Sequence, residues 1–483
     1  MLAMRLISTQ EVARHNTPGD CWVVIDDQIW DVTSFFPHHP GGPEVLVQYA
    51  GQDATTAYNE VHSPGVIVKS LSPAYLIGKL DPSSRDDDWK DNKSTQLSQP
   101  QANKPPLNAI LSSHDFEDAA RSTLSKKAWA YYSSAATDTI SHRANQSFFN
   151  RIWFRPRLLR NVSTVSTRRT VLGTSCELPV IVAPVALARL ANSIGEKGIA
   201  AAVAKKGIRY CIPITASFPA EEIIASVPNY EYFFQLYVNK DRSASEDILH
   251  RIWGLGIRTL FVTIDTPVPG KREADERVAA EGVISMPMTG TKSSQDAKGG
   301  GITRTTGSFL DDTLSWNDLV WLRTHWKGKL VLKGVQSVED ALMAAETKVD
   351  GIVLSNHGGR NLDTSPPALL NLLELQHHAP HVLQQTEVLI DGGIRRGTDI
   401  LKAICLGARA VLIGRPAMYS LAYGQEGVEY WIDNIASELQ VAMKLVGITD
   451  LSQARQGLVN TQDIDHFVVR TLDEIYERPR AKI

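Results

Sequence analysis

Cysteine is scarce and scattered in this chain. Its 483 residues include four cysteines, and no two of them form a Cys-x-x-Cys pair. A disulfide framework and a thiolate metal site both need paired or closely spaced cysteines, so the sequence argues against each of them. We therefore expect a protein of a reducing compartment.

Long apolar runs, an excess of one charge and nucleotide fingerprints are missing too. No run approaches 18 uninterrupted apolar residues, and the first residues, MLAMRLISTQEV, do not resemble a signal or transit peptide. Lys and Arg number 50 against 53 Asp and Glu, so no general charge draws the chain to nucleic acid or anionic membrane. The chain also lacks a Walker-type loop and a dinucleotide fingerprint. These absences predict a soluble, non-secreted protein without nucleic-acid or membrane partners.

Residues 81–106 divide the chain. This segment has hardly any apolar residue and contains four prolines, so it cannot bury enough surface to fold and is typical of a flexible linker. The whole chain is 43% hydrophobic and 21% charged, which is ordinary globular composition. We predict a small domain over residues 1–80, a linker over 81–106, and a large domain with a C-terminal tail over 107–483.

The small domain contains two histidines in a suggestive arrangement. CWVVIDDQIWDV predicts two short strands around the turn Asp26-Asp27, and residues 43–49 predict a short helix. His39 stands in a His-Pro-Gly-Gly turn before that helix, and His62 follows the next helical stretch. Two facing neutral imidazoles can hold a haem iron at both axial positions, which makes an electron carrier. The alternative is a pair of unrelated surface histidines.

The stretch HPGGPEVLVQYAGQDATTAYNEVHS favours the haem interpretation. It resembles the cytochrome b5 family, and the resemblance extends from Val32 to Leu80. It implies a small α+β domain that binds haem b, with His39 and His62 as axial ligands. His38 is not the expected ligand, because the family's ligand directly precedes Pro-Gly-Gly.

Eight short apolar runs recur in the large domain, separated by helical patterns such as GEKGIAAAVAKKG. This alternation of buried strands and helices predicts an α/β fold, a (β/α)8 TIM barrel; an open doubly wound sheet is the alternative. The runs are PVIVAP, YCIPIT, YFFQLYV, TLFVTID, LVLKGV, GIVLSN, EVLIDG and AVLIGR.

Nearly every run ends on polar residues, which in a barrel converge on one face where the active site lies. DGGIRRG follows the seventh run and GRP the eighth, and together they supply glycine amides, Arg395 and Arg415. That position is typical of a phosphate pocket, here for a ligand smaller than NAD.

In SNHGGRNLD, His357 suits a base and Arg360 a carboxylate clamp. The alternative is a turn histidine and a surface arginine.

SNHGGRNLD also resembles the FMN-dependent 2-hydroxy acid dehydrogenase and oxidase family, and the resemblance covers the chain from Trp129 to Leu445. It implies FMN as the cofactor. The motifs that carry it are AYYSSAA, QLYV, VTIDTP, GKRE, LKGV, LSNHGGRNLD, DGGIRRGTDILKA and LIGRP.

The resemblance implies a role for each catalytic residue. His357 is expected to take the substrate proton, and Asp265 to hold the resulting imidazolium. Arg360 and Tyr131 are expected to grip the substrate carboxylate, and Tyr237 to hydrogen-bond the substrate hydroxyl. The resemblance leaves open whether the electrons leave as a carbanion pair or as hydride.

Two further cations belong to the expected site. Arg272 is similar to the family's second active-site arginine, and Lys333 is similar to the cation beside the flavin N1–C2 edge, where reduction deposits negative charge. The other residues that resemble the FMN site are Ala183, Pro184, Ala186, Gln235, Thr263, Ser355, Asp391, Gly392, Gly393, Arg395, Gly414 and Arg415.

Four departures from the family pattern bear on the substrate. They are Ala135, Val185, Thr215 and Pro269; in addition, the family usually has a serine near Pro213 on the second strand. These changes leave the identity of the 2-hydroxy acid open. We expect a small (S)-2-hydroxy acid, with L-lactate the first candidate.

A haem module fused to a flavin barrel resembles the flavocytochrome b2 family. The resemblance implies that electrons leave singly through haem to a soluble cytochrome c, and that the chain forms a homotetramer. One alternative is an oxidase that uses O2, and another is a haem electron-transfer scaffold with an inactive barrel.

Two segments raise further expectations. The final Ala-Lys-Ile resembles a variant peroxisomal signal, so we expect a cytoplasmic or peroxisomal location rather than a mitochondrial one. Residues 286–310 are glycine-rich and polar, and we expect them to form a mobile loop near the mouth of the active site.

Overall fold

The computed structural model describes residues 5–39, 46–47, 49–55, 57–58, 62, 67–68, 71–84, 104–279, 284–294 and 298–469. Both predicted haem ligands are among them. Most of the predicted linker, much of the predicted helix at 43–49 and the C-terminal tripeptide lie outside the described residues.

A small mixed sheet forms the first domain. The predicted hairpin is present, because β3 and β4 pair antiparallel through Asp26 and Asp27, which have φ values of 50° and 63°. Asp is one of the few residues that adopts this left-handed conformation readily. The sheet order is β1-β6-β4-β3-β2, with β5 beside β3. The elements are β1 (Leu6–Ile7), α1 (Thr9–Arg14), β2 (Asn16–Thr17), β3 (Asp20–Ile25), β4 (Gln28–Asp31), β5 (Gln52–Asp53) and β6 (Leu76–Leu80).

Alternation along β3 and β4 gives this sheet two apolar faces. Val23 and Trp30 pack on the face that also contacts Tyr58, whereas Val24 and Ile29 pack on the opposite face. The histidine side of the domain therefore has an apolar wall behind it.

The large domain contains a closed barrel of eight parallel strands, β10 to β13 and β16 to β19. All eight predicted runs form these strands, so the predicted (β/α)8 TIM barrel is confirmed and the open sheet is excluded. The strands are β7 (Trp153–Phe154), β8 (Arg169–Val171), β9 (Thr174–Cys176), β10 (Val180–Val182), β11 (Arg209–Pro213), β12 (Phe233–Leu236), β13 (Thr259–Thr263), β14 (Ser285–Met286), β15 (Thr291–Lys292), β16 (Lys329–Val335), β17 (Gly351–Leu354), β18 (Glu387–Asp391), β19 (Ala410–Ile413) and β20 (Val459–Asn460).

Helices surround the barrel and fill the connections between its strands. They are α2 (Ser113–Thr123), α3 (Lys126–Ser133), α4 (Ile140–Asn150), α5 (Gly195–Lys206), α6 (Ala220–Ser226), α7 (Arg242–Gly254), α8 (Glu273–Glu276), α9 (Ile302–Thr306), α10 (Asp318–His325), α11 (Val338–Glu346), α12 (Ala368–His378), α13 (Val382–Gln385), α14 (Gly397–Cys405), α15 (Arg415–Leu421), α16 (Gly424–Val446) and α17 (Gln462–Asp465). In the described part of the chain, no helix has the length and apolar character needed to cross a membrane.

Strand alternation separates the two layers of the core. In β10, for example, Ile181 faces the barrel interior while Val180 and Val182 pack against the helices. Helix α5 shows how the outer layer is built. It begins with the buried Glu196 in its first turn and ends at Gly207, whose φ of 66° allows a left-handed cap.

Candidate active site

The barrel interior becomes polar at the carboxyl ends of its strands. Phe233, Phe261, Val331 and Leu389 fill the interior. Because side chains alternate along a strand, the residue two positions later in each strand points the same way. Those residues are Gln235, Thr263, Lys333 and Asp391.

Lys333 is the buried cation at the centre of this polar layer. Its Nζ lies 3.1 Å from Asp391 Oδ2 and 3.3 Å from Ser355 Oγ. Burial alone lowers the pKa of Lys333, but the carboxylates of Asp391 and Asp265 outweigh burial and raise it. The side chain therefore keeps a fixed positive charge inside the barrel. Beside it, Gln235 Nε2 donates to the hydroxyl of Thr263 over 3.0 Å.

His357 and Asp265 form a buried pair. His357 Nδ1 lies 2.9 Å from Asp265 Oδ1, and its Nε2 lies 3.4 Å from the hydroxyl of Tyr237. A carboxylate that accepts from Nδ1 leaves Nε2 as the basic nitrogen. Burial lowers the pKa of His357, while the Asp265 carboxylate acts in the opposite direction. The arrangement suits a general base that is neutral at pH 7.

Backbone geometry brings the pair together. Gly334, in LKGV, has a φ of 108°, and a Cβ there would lie 2.5 Å from Cβ of Asp265, so only glycine admits the carboxylate. His357 itself has a left-handed φ of 58°, and its amide donates to Ser355 Oγ over 2.9 Å. Such strain persists where the surrounding contacts hold it, as is common at active sites.

Two guanidinium groups lie beside Tyr131. Arg272 donates through Nη1 to Thr303 Oγ1 at 2.5 Å and through Nε to the carbonyl of Arg360 at 3.1 Å. The guanidinium of Arg360 lies 5.3 Å from the Tyr131 ring centre and donates to the carbonyl of Tyr132. Burial and the charge of Arg360 lower the pKa of Arg272 to about 9. Two cations held together in a buried site favour binding of an anion such as a carboxylate.

The glycine-rich turns after β18 and β19 form the other end of the site. Gly392 and Gly393 have φ values of 90° and 80°. Arg415 donates to the carbonyls of Tyr132, Ser134 and Gly358. Burial and Arg360 lower the pKa of Arg415 to about 9.

Unpartnered polar atoms at this end show that it suits a polar ligand. Among the described residues, Asp391 Oδ1 and Arg395 Nε are buried without a hydrogen-bond partner. Buried polar atoms are normally satisfied, so these two are available to a ligand. An acceptor and a cationic donor fit the ribityl hydroxyls and the phosphate of FMN.

One cavity joins the base, the guanidinium groups and the glycine turns. Its empty space, including the part open to solvent, spans about 1160 Å³. The predicted residues that line it are Tyr131, Ala183, Pro184, Ala186, Tyr237, Arg272, Lys333, His357, Arg360, Asp391, Gly392, Gly393, Arg395, Gly414 and Arg415. The other predicted residues, Gln235, Thr263, Asp265 and Ser355, lie directly behind this lining through the contacts given above.

Residues 284–310 contribute to the mouth of the cavity, as expected for the segment 286–310. The described part contains the short strands β14 and β15 and helix α9. Met286, Thr306 and Phe309 line the cavity. The predicted location is therefore confirmed, and the predicted mobility stays a prediction.

Several supporting residues were not predicted. Asn361 Nδ2 donates to the carbonyl of Asp265 at 2.8 Å, and Thr266 Oγ1 donates to Asp265 Oδ1 at 2.9 Å. Both directly follow predicted residues in the motifs NHGGRNLD and VTIDTP, so a signal for them existed. Thr303, the partner of Arg272, lies in a segment with no recognisable motif.

The two histidines of the small domain face each other. Their ring centres are 6.1 Å apart, and the ring planes meet at 52°. Tyr58 stacks on His62, and Phe35 packs edge-on against His39. Burial lowers the pKa of His62 to about 4, so this imidazole is neutral and can bind a metal.

This spacing fits one iron atom held between the rings. Haem iron can take one imidazole on each side, so two facing histidines supply the donor set that haem b would need. The apolar wall that includes Val23 and Trp30 lies beside the pair. The residues present therefore fit haem b.

Comparison with known proteins covers both domains. Residues 120–461 match the family described as FMN-dependent dehydrogenase, and residues 8–81 match the family described as cytochrome b5-like heme/steroid binding domain. The L-lactate dehydrogenase (cytochrome) of Saccharomyces cerevisiae is 38% identical over 98% of this chain and 83% of its own length. The 2-hydroxyacid oxidase 2 of Mus musculus is 36% identical over 73% of this chain and 98% of its own.

Solved structures agree with these relatives. A flavocytochrome b2 variant with pyruvate bound is 37% identical, with a TM-score of 0.67, and the match covers 78% of this chain and 95% of that one. A mandelate oxidase with (S)-4-hydroxymandelic acid is 34% identical at the same TM-score, over 73% of this chain and 98% of that one.

These matches confirm the predicted resemblances, the expected cofactors FMN and haem b, and the expectation of an enzyme, and they leave no support for an inactive scaffold. The mouse oxidase aligns with 73% of this chain, whereas the yeast dehydrogenase aligns with 98% of it. The chain belongs to the flavocytochrome b2 family, in which a cytochrome b5-like haem domain precedes an FMN-dependent dehydrogenase barrel.

Proposed function

We propose that this enzyme oxidises L-lactate to the corresponding 2-keto acid and delivers the electrons singly to a soluble cytochrome c. The main support for this proposal is that the alignment with the yeast L-lactate dehydrogenase (cytochrome) covers 98% of this chain and so includes both domains. When bound, FMN accepts the two electrons of the oxidation and haem b relays them one at a time.

The proton chemistry belongs to His357. Its Nε2 accepts the substrate proton, and Asp265, 2.9 Å from Nδ1, stabilises the imidazolium that results. Tyr237 lies on the Nε2 side, where its hydroxyl donates to the substrate oxygen. Burial raises the pKa of Tyr237 to about 12, so this phenol stays protonated at neutral pH.

The cations position the substrate and stabilise charge. Arg272, Arg360 and Tyr131 surround the place where a substrate carboxylate is expected. Lys333 supplies a preorganised positive charge in a water-poor interior. The residues 391–395 and 414–415 hold the phosphate end of FMN through glycine amides and two guanidinium groups.

An anaerobic visible spectrum of the purified holoprotein tests this proposal. It is recorded while L-lactate, glycolate and L-mandelate are added in separate titrations. L-lactate should bleach the flavin and then reduce the haem at the lowest concentration of the three. If another acid reduced the flavin at a lower concentration, that acid would be the preferred substrate instead of L-lactate. A haem that stayed oxidised would contradict electron transfer from flavin to haem.

An oxidase is the second candidate function, because 2-hydroxyacid oxidases also match the large domain at 36% identity. Oxygen consumption and cytochrome c reduction, measured together at saturating substrate, separate the two. We expect cytochrome c reduction to dominate, and oxygen uptake that accounts for turnover would favour the oxidase.

The oligomeric state of the protein and its subcellular location remain predictions that rest on resemblance. A homotetramer is expected, and light scattering of the purified protein measures it. The peroxisomal alternative rests on Ala-Lys-Ile at residues 481–483, outside the described residues. A fluorescent fusion that carries the last dozen residues should enter peroxisomes if this tripeptide is a signal, and a diffuse distribution would favour the cytoplasm.

A further inference from the structure

Among the described residues, an arginine of the barrel contacts the haem domain. Arg189 lies in the connection between β10 and α5, and its Nη1 donates a hydrogen bond to the backbone carbonyl of His62. His62 is one of the two axial histidines, so this bond joins the flavin domain to a haem ligand residue. The two partners are 127 residues apart in sequence.

The barrel holds Arg189 in a defined place. Its side chain is buried, with 6% of the residue exposed, and its backbone amide donates to Ser217 Oγ at 3.1 Å. The guanidinium carbon lies 5.2 Å from the ring centre of Phe218. The buried carboxylate of Glu196 stabilises its charge, and the same carboxylate accepts from the amide of Ser217 at 2.8 Å. These contacts fix the backbone of Arg189 and place its guanidinium beside Phe218.

The connection that carries Arg189 also lines the flavin cavity. Ala183, Pro184 and Ala186 are part of the cavity lining, and Arg189 follows Ala186 by three residues. Tyr132, another lining residue, donates to the carbonyl of Leu187 at 2.6 Å and holds the same connection. The contact with His62 therefore lies at the end of a rigid segment that begins in the expected FMN site.

We propose that Arg189 is a positioning residue that docks the haem domain on the barrel in the pose where electrons pass from flavin to haem. In each transfer the reduced flavin loses one electron and the ferric haem gains it. This proposal rests on the proposed function, in which haem is the exit for electrons. A single charge-assisted hydrogen bond shifts a docking equilibrium by roughly 10- to 100-fold, so the domain is held and still released to meet cytochrome c.

The test uses the full-length holoprotein and two variants of the docking residue. Arg189→Ala removes the donor. Arg189→Lys keeps the charge and most of the stem but not the planar fork, which guards against an alanine variant that fails to fold. Lys197→Ala is the matched control, because Lys197 lies over the same Phe218 ring, 4.2 Å from its centre, but pairs with Glu222 of the barrel.

Two measurements are made on each protein. Stopped-flow absorbance follows flavin reduction by L-lactate and then haem reduction, and small-angle X-ray scattering of the oxidised protein without substrate reports how compact the two domains are. For Arg189→Ala we expect unchanged flavin reduction, haem reduction roughly 10- to 100-fold slower, and a larger radius of gyration. Arg189→Lys should fall between that variant and the parent, and Lys197→Ala should match the parent.

Parent-like haem reduction and parent-like scattering in Arg189→Ala and Arg189→Lys would overturn the proposal. Failure of the proposed function looks different, because L-lactate would then leave the flavin of the parent protein oxidised. The scattering result needs no substrate, so it decides the docking role in that case as well.

Discussion

At the residue scale, His357 is governed by two opposing influences. Burial favours its neutral form, and Asp265 favours its charged form. A base in this position is neutral before the reaction and finds its counter-charge in place once it has taken the proton.

Replacing the base tests its role directly. His357→Gln should retain FMN, because the phosphate end of the site consists of residues 391–395 and 414–415. Flavin reduction by substrate should slow by roughly 10²- to 10⁴-fold, the usual contribution of general-base catalysis. Stopped-flow absorbance measures it, with His250→Gln on the exposed side of α7 as the control. Near-parent reduction would exclude His357 as the base.

The pH profile tests the influence of Asp265. Because burial lowers the pKa of His357, kcat/KM should not begin to fall on the acid side until the pH is below about 6.5, the value for a free histidine. Any fall on the alkaline side belongs to Arg272, whose pKa is about 9. Asp265 raises the pKa of His357, so Asp265→Asn should move the acid limb to still lower pH. The plateau should also drop, since the imidazolium loses its counter-charge. An acid limb that moved upward would show that another group titrates.

At the element scale, a buried ion pair joins two elements that carry substrate-facing residues. Lys127, on the same helix α3 as Tyr131, lies 2.7 Å from the carboxylate of Asp275, three residues after Arg272. Its Nζ also donates to the carbonyl of Gly300 at 2.8 Å. Both charged side chains are almost fully buried, at 7% and 2% exposure. The pair therefore ties the helix of Tyr131 to the mouth of the cavity.

Lys127→Met should release this connection. It leaves the Asp275 carboxylate buried and unpaired, which costs about 3–5 kcal/mol of folding stability. We expect a lower Tm, faster proteolysis within residues 284–310, and a higher KM for substrate. The exposed neighbour Lys126→Met is the control. If Lys127→Met lowered the Tm but left KM unchanged, the Lys127–Asp275 ion pair would have a structural role and no role in substrate binding.

Sequence reasoning predicted the elements better than the contacts between them. The eight strands were predictable because each is a short apolar run bounded by turns, and the polar residues that end these runs, among them Lys333 and Asp391, were expected to converge on one face of the barrel. Lys127 and Asp275 are 148 residues apart, and nothing local in the sequence marks either as buried. The same holds for Arg189 and His62. Such pairs depend on how the barrel closes, which no short pattern records.

At the scale of the whole molecule, we expect the predicted linker to set how far the haem domain can move. Ser84 bonds to Thr9 of the small domain, and Tyr423 of the barrel donates to the carbonyl of Pro105. The composition of the predicted linker, residues 81–106, is that of a coil of about 30 Å root-mean-square length, and most of this segment lies outside the described residues. The boundaries 81–106 stay a prediction.

Shortening the predicted linker, residues 81–106, by half tests this part of the chain. Flavin reduction should be unchanged, since the substrate site lies within the barrel, whereas flavin-to-haem transfer should slow because a short linker restricts docking. Stopped-flow traces of both cofactors measure it. Replacement of the segment by an equally long Gly/Ser sequence is the control and should behave as the parent. Parent-rate transfer in the halved protein would show that linker length is not limiting.

The exit route for electrons can be tested by removing a haem ligand. His62→Ala deletes one of two imidazoles whose ring centres lie 6.1 Å apart, so the iron loses an axial ligand while the barrel keeps its residues. We expect reduction of cytochrome c to be abolished, and reduction of a ferricyanide-type dye that takes electrons directly from the flavin to be retained. Both assays are run at saturating substrate, with the exposed neighbour His38→Ala as the control. His38→Ala should reduce both acceptors at the parent rate, because the ring that faces His62 is that of His39 and not that of His38. If His62→Ala still reduced cytochrome c at that rate, electrons would be leaving from the flavin itself, and the haem domain would have another role.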